Sequence, residues 1–271
     1  MVFRLGARLA LSVDRAARLG HLATGATYVV VGAVALVASF DSRPRAMGSQ
    51  GALHYVFSAG PGRAVLLAIA VGFAADFVWQ IVRAVTNADE APAGVRGVAD
   101  RAGWTISGCV HLGLAVSAVK LAFDLPQRTA EHRAQLATAA VMSHPLGQLG
   151  LIIAGSVTIL VGLQMLYRAG IGDVDRWLDL RSLHRIARAA ILALGRFGLA
   201  SRGIVFCAGG TILVIAAIER RPWRAHALGG TLRAIGDTSL GPGLLAVVAL
   251  GFVAFGFIEI LSVSYRRIHV Q

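Results

Sequence analysis

The chain has 271 residues, of which 56% are hydrophobic and 15% charged, where a soluble domain is roughly 45 to 50% apolar and about 25% charged. A mean hydropathy of +0.68 argues against a large soluble domain and for a membrane protein, in which each spanning helix takes about 20 apolar residues. The net charge of +12 comes from single basic residues that flank apolar runs, with no block or nucleic-acid motif, so it reads as membrane topology and speaks against a nucleic-acid partner.

In chain order, residues 1–20 place Arg4, Arg8, Arg15 and Arg18 within about 80° of one another at helical spacing. That stripe predicts an amphipathic helix lying on the inner leaflet. No short apolar core with a small-residue cleavage site precedes the first span, which is therefore expected to stay as an anchor. Apolar runs at 22–40, 64–82, 103–123, 147–167, 203–218 and 243–263 predict six transmembrane helices. All seven prolines lie outside these runs, as helix interiors require. The linker 173–192 is predicted to be interfacial, with Arg181, Arg185 and Arg188 on one face, Leu180, Leu183 and Ala187 opposite, and Trp177 as an interface anchor.

The sequence repeats. Before the odd-numbered spans stands R-x-G-x4-G-x2-(aromatic or His): Arg18, Gly20, Gly25, Tyr28; Arg101, Gly103, Gly108, His111; Arg196, Gly198, Gly203, Phe206. The register recurs after 83 and then 95 residues, and a Gly/Pro break before the even-numbered spans recurs at Gly62, Gly147 and Gly241, after 85 and 94. The predicted fold is therefore an all-α membrane protein of three parallel two-helix repeats, at 15–90, 98–172 and 193–268, around a pseudo-threefold axis. Sixteen of the 26 basic residues fall on the side holding the N-terminus, the second and fourth loops and the C-terminus, which predicts that both termini are cytoplasmic.

The thrice-repeated arginine and glycine signature, the apolar helix around Thr27 to Leu36, and the Pro61-Gly62-Arg63 helix ending near Arg83-Ala84 resemble a bacterial family, the domain of unknown function 1206. The resemblance implies three two-helix repeats over nearly the whole chain and a location in the bacterial plasma membrane, and it carries over no reaction or catalytic residue. The second copy departs from the pattern with His111 where the others have Tyr28 and Phe206, and the third lacks an arginine matching Arg83.

Ionisable groups inside a span cost a few kcal/mol, so each is a candidate for function. Asp76 and His111 fall at similar depth in the second and third spans and are expected to pair, as a proton relay or as an interhelical hydrogen bond. Gln80, Gln164 and Glu259 stand at nearly equivalent positions of the even-numbered spans and are expected to form a polar ring if those helices line the axis. Arg18, Arg101 and Arg196 are expected to anchor to anionic lipid headgroups. Ala35 with Ser39 and Gly113 with Ser117 read as small-xxx-small helix contacts, and Lys120 with Asp124 as an i, i+4 surface pair.

No phosphate loop, nucleophile elbow, zinc-protease motif or dinucleotide fingerprint is present, so no catalytic residue, metal or cofactor is assigned. The expected function is a non-enzymatic structural or accessory membrane protein, with membrane lipids, a second copy or another membrane protein as partner. The alternative is a transporter or channel for a small solute, ion or proton, with its site near the axis.

Overall fold

Long runs rich in alanine and leucine, free of proline, favour helices because those side chains lose little rotamer freedom there. The computed structural model describes residues 7–40, 62–86, 94–126, 128–171, 183–238 and 240–265, and among these the regular elements are helices with no strand. They are α1 (Ala7–Phe40), α2 (Gly62–Thr86), α3 (Val95–Ala122), α4 (Ala130–Met142), α5 (Gly147–Ile171), α6 (Arg185–Ile218), a 3-10 turn (Pro222–Arg224), α7 (Leu228–Gly236) and α8 (Gly241–Tyr265). Six of them, α1, α2, α3, α5, α6 and α8, contain stretches long and apolar enough to cross a membrane.

Two expectations about local structure change. Residues 1–20 do not form a separate surface helix in their described part, because α1 runs unbroken from Ala7 to Phe40. Likewise the linker 173–192 enters α6 at Arg185, and residues 172–182 lie outside the described ones. At a rise of about 1.5 Å per residue a 34-residue helix measures roughly 51 Å, so α1 and α6 are each longer than the hydrocarbon core of about 30 Å. Lys120 and Asp124 do not pair. Asp124 lies past the end of α3 with φ 52°, so the helical i, i+4 geometry is gone.

The short helices α4 and α7 fill the side opposite the N-terminus. Glu131 of α4 accepts hydrogen bonds from the backbone N–H groups of Ala227, at 2.9 Å, and Gly230, at 2.7 Å, and so caps the start of α7. Leu232 and Ile235 of α7 then close a core with Val31 and Ala35 of α1, Val205 of α6, and Leu245, Val248, Ala249 and Phe252 of α8. Gly147 and Gly241, the repeated breaks, are fixed by close turns: a Cβ at Gly147 would fall 1.7 Å from the Val141 carbonyl oxygen, and one at Gly241 1.9 Å from that of Gly236.

The spanning helices pack in the order α3, α2, α1, α8, α6, α5. The most extensive interfaces join the second helix of one repeat to the first helix of another: α2 to α3, α5 to α6, and α8 to α1. Glycines of the repeated signature make them close. A Cβ on Gly25 would meet the Gly256 carbonyl oxygen at 2.7 Å, and one on Gly203 the Gly162 carbonyl oxygen at 2.8 Å. The expected small-residue contact at Gly113 is absent, since nothing lies within 4 Å of a Cβ built there.

Within a repeat, α1 packs on α2 and α6 on α8, but α3 and α5 share no comparable interface. The described contacts therefore run as a row from α3 to α5.

Candidate functional site

Gly20 of α1 lets α2 approach so closely that a Cβ there would lie 2.4 Å from Cβ of Asp76. Asp76 is buried at 3% exposure, and its Oδ2 lies 2.5 Å from His111 Nδ1 of α3. The ring of Phe73 stacks on His111 with centroids 5.5 Å apart. Gln80, one turn along α2, donates to Asp76 Oδ2 and to the Ser107 hydroxyl, both at 3.4 Å, and accepts from Arg83 at 3.0 Å.

A second pair stands beside the first. His21, next to Gly20 in α1, holds its Nδ1 2.6 Å from Glu259 Oε2 of α8. Gly20, the residue before His21, is the one that Asp76 packs against. Glu259, His21, Asp76 and His111 thus form a row of alternating carboxylate and imidazole across α8, α1, α2 and α3. Each imidazole can share a proton with its carboxylate, and each pair ties two helices together.

The expected ring of Gln80, Gln164 and Glu259 is not gathered. The offsets of 85 and 94 put Met165, not Gln164, in register with Gln80 and Glu259. One residue is about 100° of helix rotation, so Gln164 faces away and is exposed on α5, whose packing is on α6 and α4. Gln80 and Glu259 are each engaged in the contacts above.

Two of the three signature arginines bond to protein. Arg18 donates to the Val263 carbonyl of α8, and Arg196 donates to the carbonyls of Ala169 and Gly170 of α5, both at 2.7 Å. These are cations on the last carbonyls of a helix, where the backbone dipole is negative. Arg101, in the same register, is exposed, and no polar contact of its side chain is seen among the described residues.

Repeat 3 answers the acid with an aromatic cage. Phe255 is in register with Asp76, and Tyr28 and Phe206 with His111. The Arg202 guanidinium sits over Phe255, Tyr28 and Phe206 at 4.3, 5.2 and 5.7 Å from their centroids.

His21 and Arg202 are the site residues that the reading of the sequence misses. Both fall one residue before a span as drawn from hydropathy, although the repeat register aligns them with Trp104 and with Thr24 and Ser107.

The family described as a domain of unknown function (DUF1206) matches the chain three times in tandem, at residues 19–87, 102–172 and 197–266. The chain is 24% identical over 255 residues, 94% of its length and 92% of the relative's, to the uncharacterized protein YxxB of Bacillus subtilis (strain 168). No solved structure matches it. With three matches covering most of its length, the chain belongs to the domain-of-unknown-function family 1206 and carries three copies of the family's unit.

Proposed function

We propose that this is a non-enzymatic multi-pass protein of the bacterial plasma membrane, with both termini cytoplasmic, that works by binding a membrane constituent. The observation that carries this reading is the seating of Asp76: it lies in a helix contact so close that only glycine fits opposite, at 3% exposure. A proton or solute path needs water or mobile side chains along it, whereas a tie between helices needs close packing and an oppositely charged neighbour across the contact. The Asp76–His111 and Glu259–His21 contacts fit the second role.

The packing order also supports a pseudo-threefold arrangement. In each of its three steps the second helix of a repeat lies on the first helix of the next, with α8 returning to α1. The arrangement is opened at repeat 2.

Transport is the second reading, favoured by the four alternating carboxylates and imidazoles that cross four neighbouring helices. Proteoliposomes loaded with a pH-sensitive dye separate the two. A binding protein dissipates a pH gradient no faster than empty vesicles, and Asp76→Asn lowers its melting temperature. Flux that Asp76→Asn abolishes at unchanged melting temperature would overturn the proposal.

A further inference from the structure

We propose that a cavity on the side opposite the N-terminus, walled by the end of α4, the start of α5 and the turn that closes α6, binds a phosphate group through Arg220 and Gln148. The site rests on the reading of the protein as one that binds and does not transport, and gives that reading a place and a ligand chemistry.

The cavity has a volume of about 550 Å³, within the range of roughly 300 to 1,000 Å³ of small-molecule sites. Met142, Pro145 and Pro222 form its apolar wall, and His144, Gln148 and Arg220 its polar one. Among the described residues no carboxylate lines it. Glu219, the acid next to Arg220 in the chain, is turned to Arg224 at 2.7 Å and to Arg221 at 3.7 Å. Arg220 itself donates from Nε to Gln148 Oε1 at 3.2 Å. That bond ties the guanidinium to α5 and leaves its two Nη groups, which have no polar contact among the described residues, as a fork for a ligand. The Gln148 oxygen is then taken and its amide N–H groups remain as donors.

The backbone gives an independent observation. Arg220 has φ 54°, the left-handed region that closes many helices and that glycine adopts freely. Its N–H bonds to the Ala217 carbonyl at 3.2 Å and that of Arg221 to the Ala216 carbonyl at 2.9 Å, so the turn ends α6 without help from the side chain. A long side chain is less favourable than glycine there, and what it adds is a cation in the cavity wall. Phosphate is the anion that fits. The arginine fork takes two oxygens of a carboxylate or a phosphate, the amide of Gln148 offers a third contact, and only phosphate has a third oxygen to accept it. Gln148 also stands in the first turn of α5, whose dipole favours an anion at that end. The apolar span of α5 begins at Gly147 and that of α6 closes at Ile218, so Gln148 and Arg220 stand at the ends of their spans. There they are level with lipid phosphates and in reach of soluble phosphate esters.

The test uses the full chain in nanodiscs with two probes. Phosphatidylglycerol, mixed equally with phosphatidylcholine, is followed by native mass spectrometry of the released protein, and sn-glycerol 3-phosphate, added to phosphatidylcholine nanodiscs, by calorimetric titration. One probe is expected to bind once per chain, with binding falling roughly tenfold in Arg220→Gly and less in Gln148→Leu. Glycine suits the left-handed backbone, so the melting temperature of Arg220→Gly without probe is expected to hold or rise, which separates a lost cation from lost structure. Retained phosphatidylglycerol supports the site with a lipid headgroup as its ligand, and bound sn-glycerol 3-phosphate supports it with a soluble ester. Binding of neither probe, or binding unchanged in Arg220→Gly, overturns the site. Proton flux in the vesicle assay with probe binding intact overturns the underlying reading of function alone.

Discussion

Repeat 2 and the repeats on either side of it share one signature and treat it in opposite ways. In repeats 1 and 3 the glycine after the arginine is buried under the second helix, whereas Gly103 faces open space. The small pairs Ala23 with Gly72 and Ser201 with Gly251 become Ile106 with Val157. A repeated glycine therefore records that a close approach is allowed, and the residue one turn away decides whether it happens. Close approach matters more in lipid than in water, because no hydrophobic drive brings two apolar helices together there and packing contacts must hold them.

The largest effect that would break this comparison lies at the glycines themselves. Gly20→Leu must overlap the Asp76 backbone and side chain, and Gly25→Leu the Gly256 carbonyl. Each is expected to destabilise by about 3 kcal/mol or more and to be lost as folded protein in fluorescence-detected size exclusion. Gly103→Leu is expected to run as a folded monodisperse peak, with a change within roughly 0.5 kcal/mol. Equal tolerance at the two positions would erase the distinction between the repeats.

Next in size is the buried acid. Asp76→Asn removes the carboxylate from His111 and is expected to cost about 1 to 3 kcal/mol in thermal unfolding. Combined with His111→Phe, the aromatic of the third repeat, part of that loss is expected to return, because the second partner is no longer left facing an amide. Strict additivity in that double-mutant cycle would mean the two side chains are not coupled. Glu131→Ala removes the acceptor for two N–H groups at the start of α7 and is expected to cost about 1 to 2 kcal/mol.

The smallest effect separates the arginines. Arg196→Gln loses two bonds to the end of α5 and is expected to lower stability by about 0.3 to 1 kcal/mol. Arg101→Gln in lipid-free detergent is expected to leave the melting temperature unchanged. An equal loss at both would give Arg101 a protein partner.

Six spans and three repeats are legible from hydropathy and spacing, because lipid imposes length on helices and prolines mark their ends. The meeting of Asp76 and His111 is legible too, since two ionisable residues at equal depth on adjacent spans have few other partners. His21 is hidden by a span boundary drawn at Leu22, and its partner Glu259 lies 238 residues away. Gln164 misleads because a register good to one residue still leaves about 100° of rotation unresolved. The carbonyl bonds of Arg18 and Arg196 are not legible in the sequence, because carbonyls at a helix end and phosphates at a membrane surface attract the same cation. Helices α4 and α7 lie in loops whose short apolar spacing, as in Leu228, Leu232 and Ile235, carries little weight beside spans.

The most direct test of the opening at repeat 2 is electron–electron spin-echo distance measurement in nanodiscs, with Cys109 and Cys207 replaced by serine and nitroxide pairs at register-equivalent positions. Leu22 with Val78, Thr105 with Leu163, and Ala200 with Phe257 sample the three repeats from the same places on their helices. The first and third pairs are expected to give matching distances and Thr105 with Leu163 a longer one. Three coincident distances would show a closed ring and contradict the account.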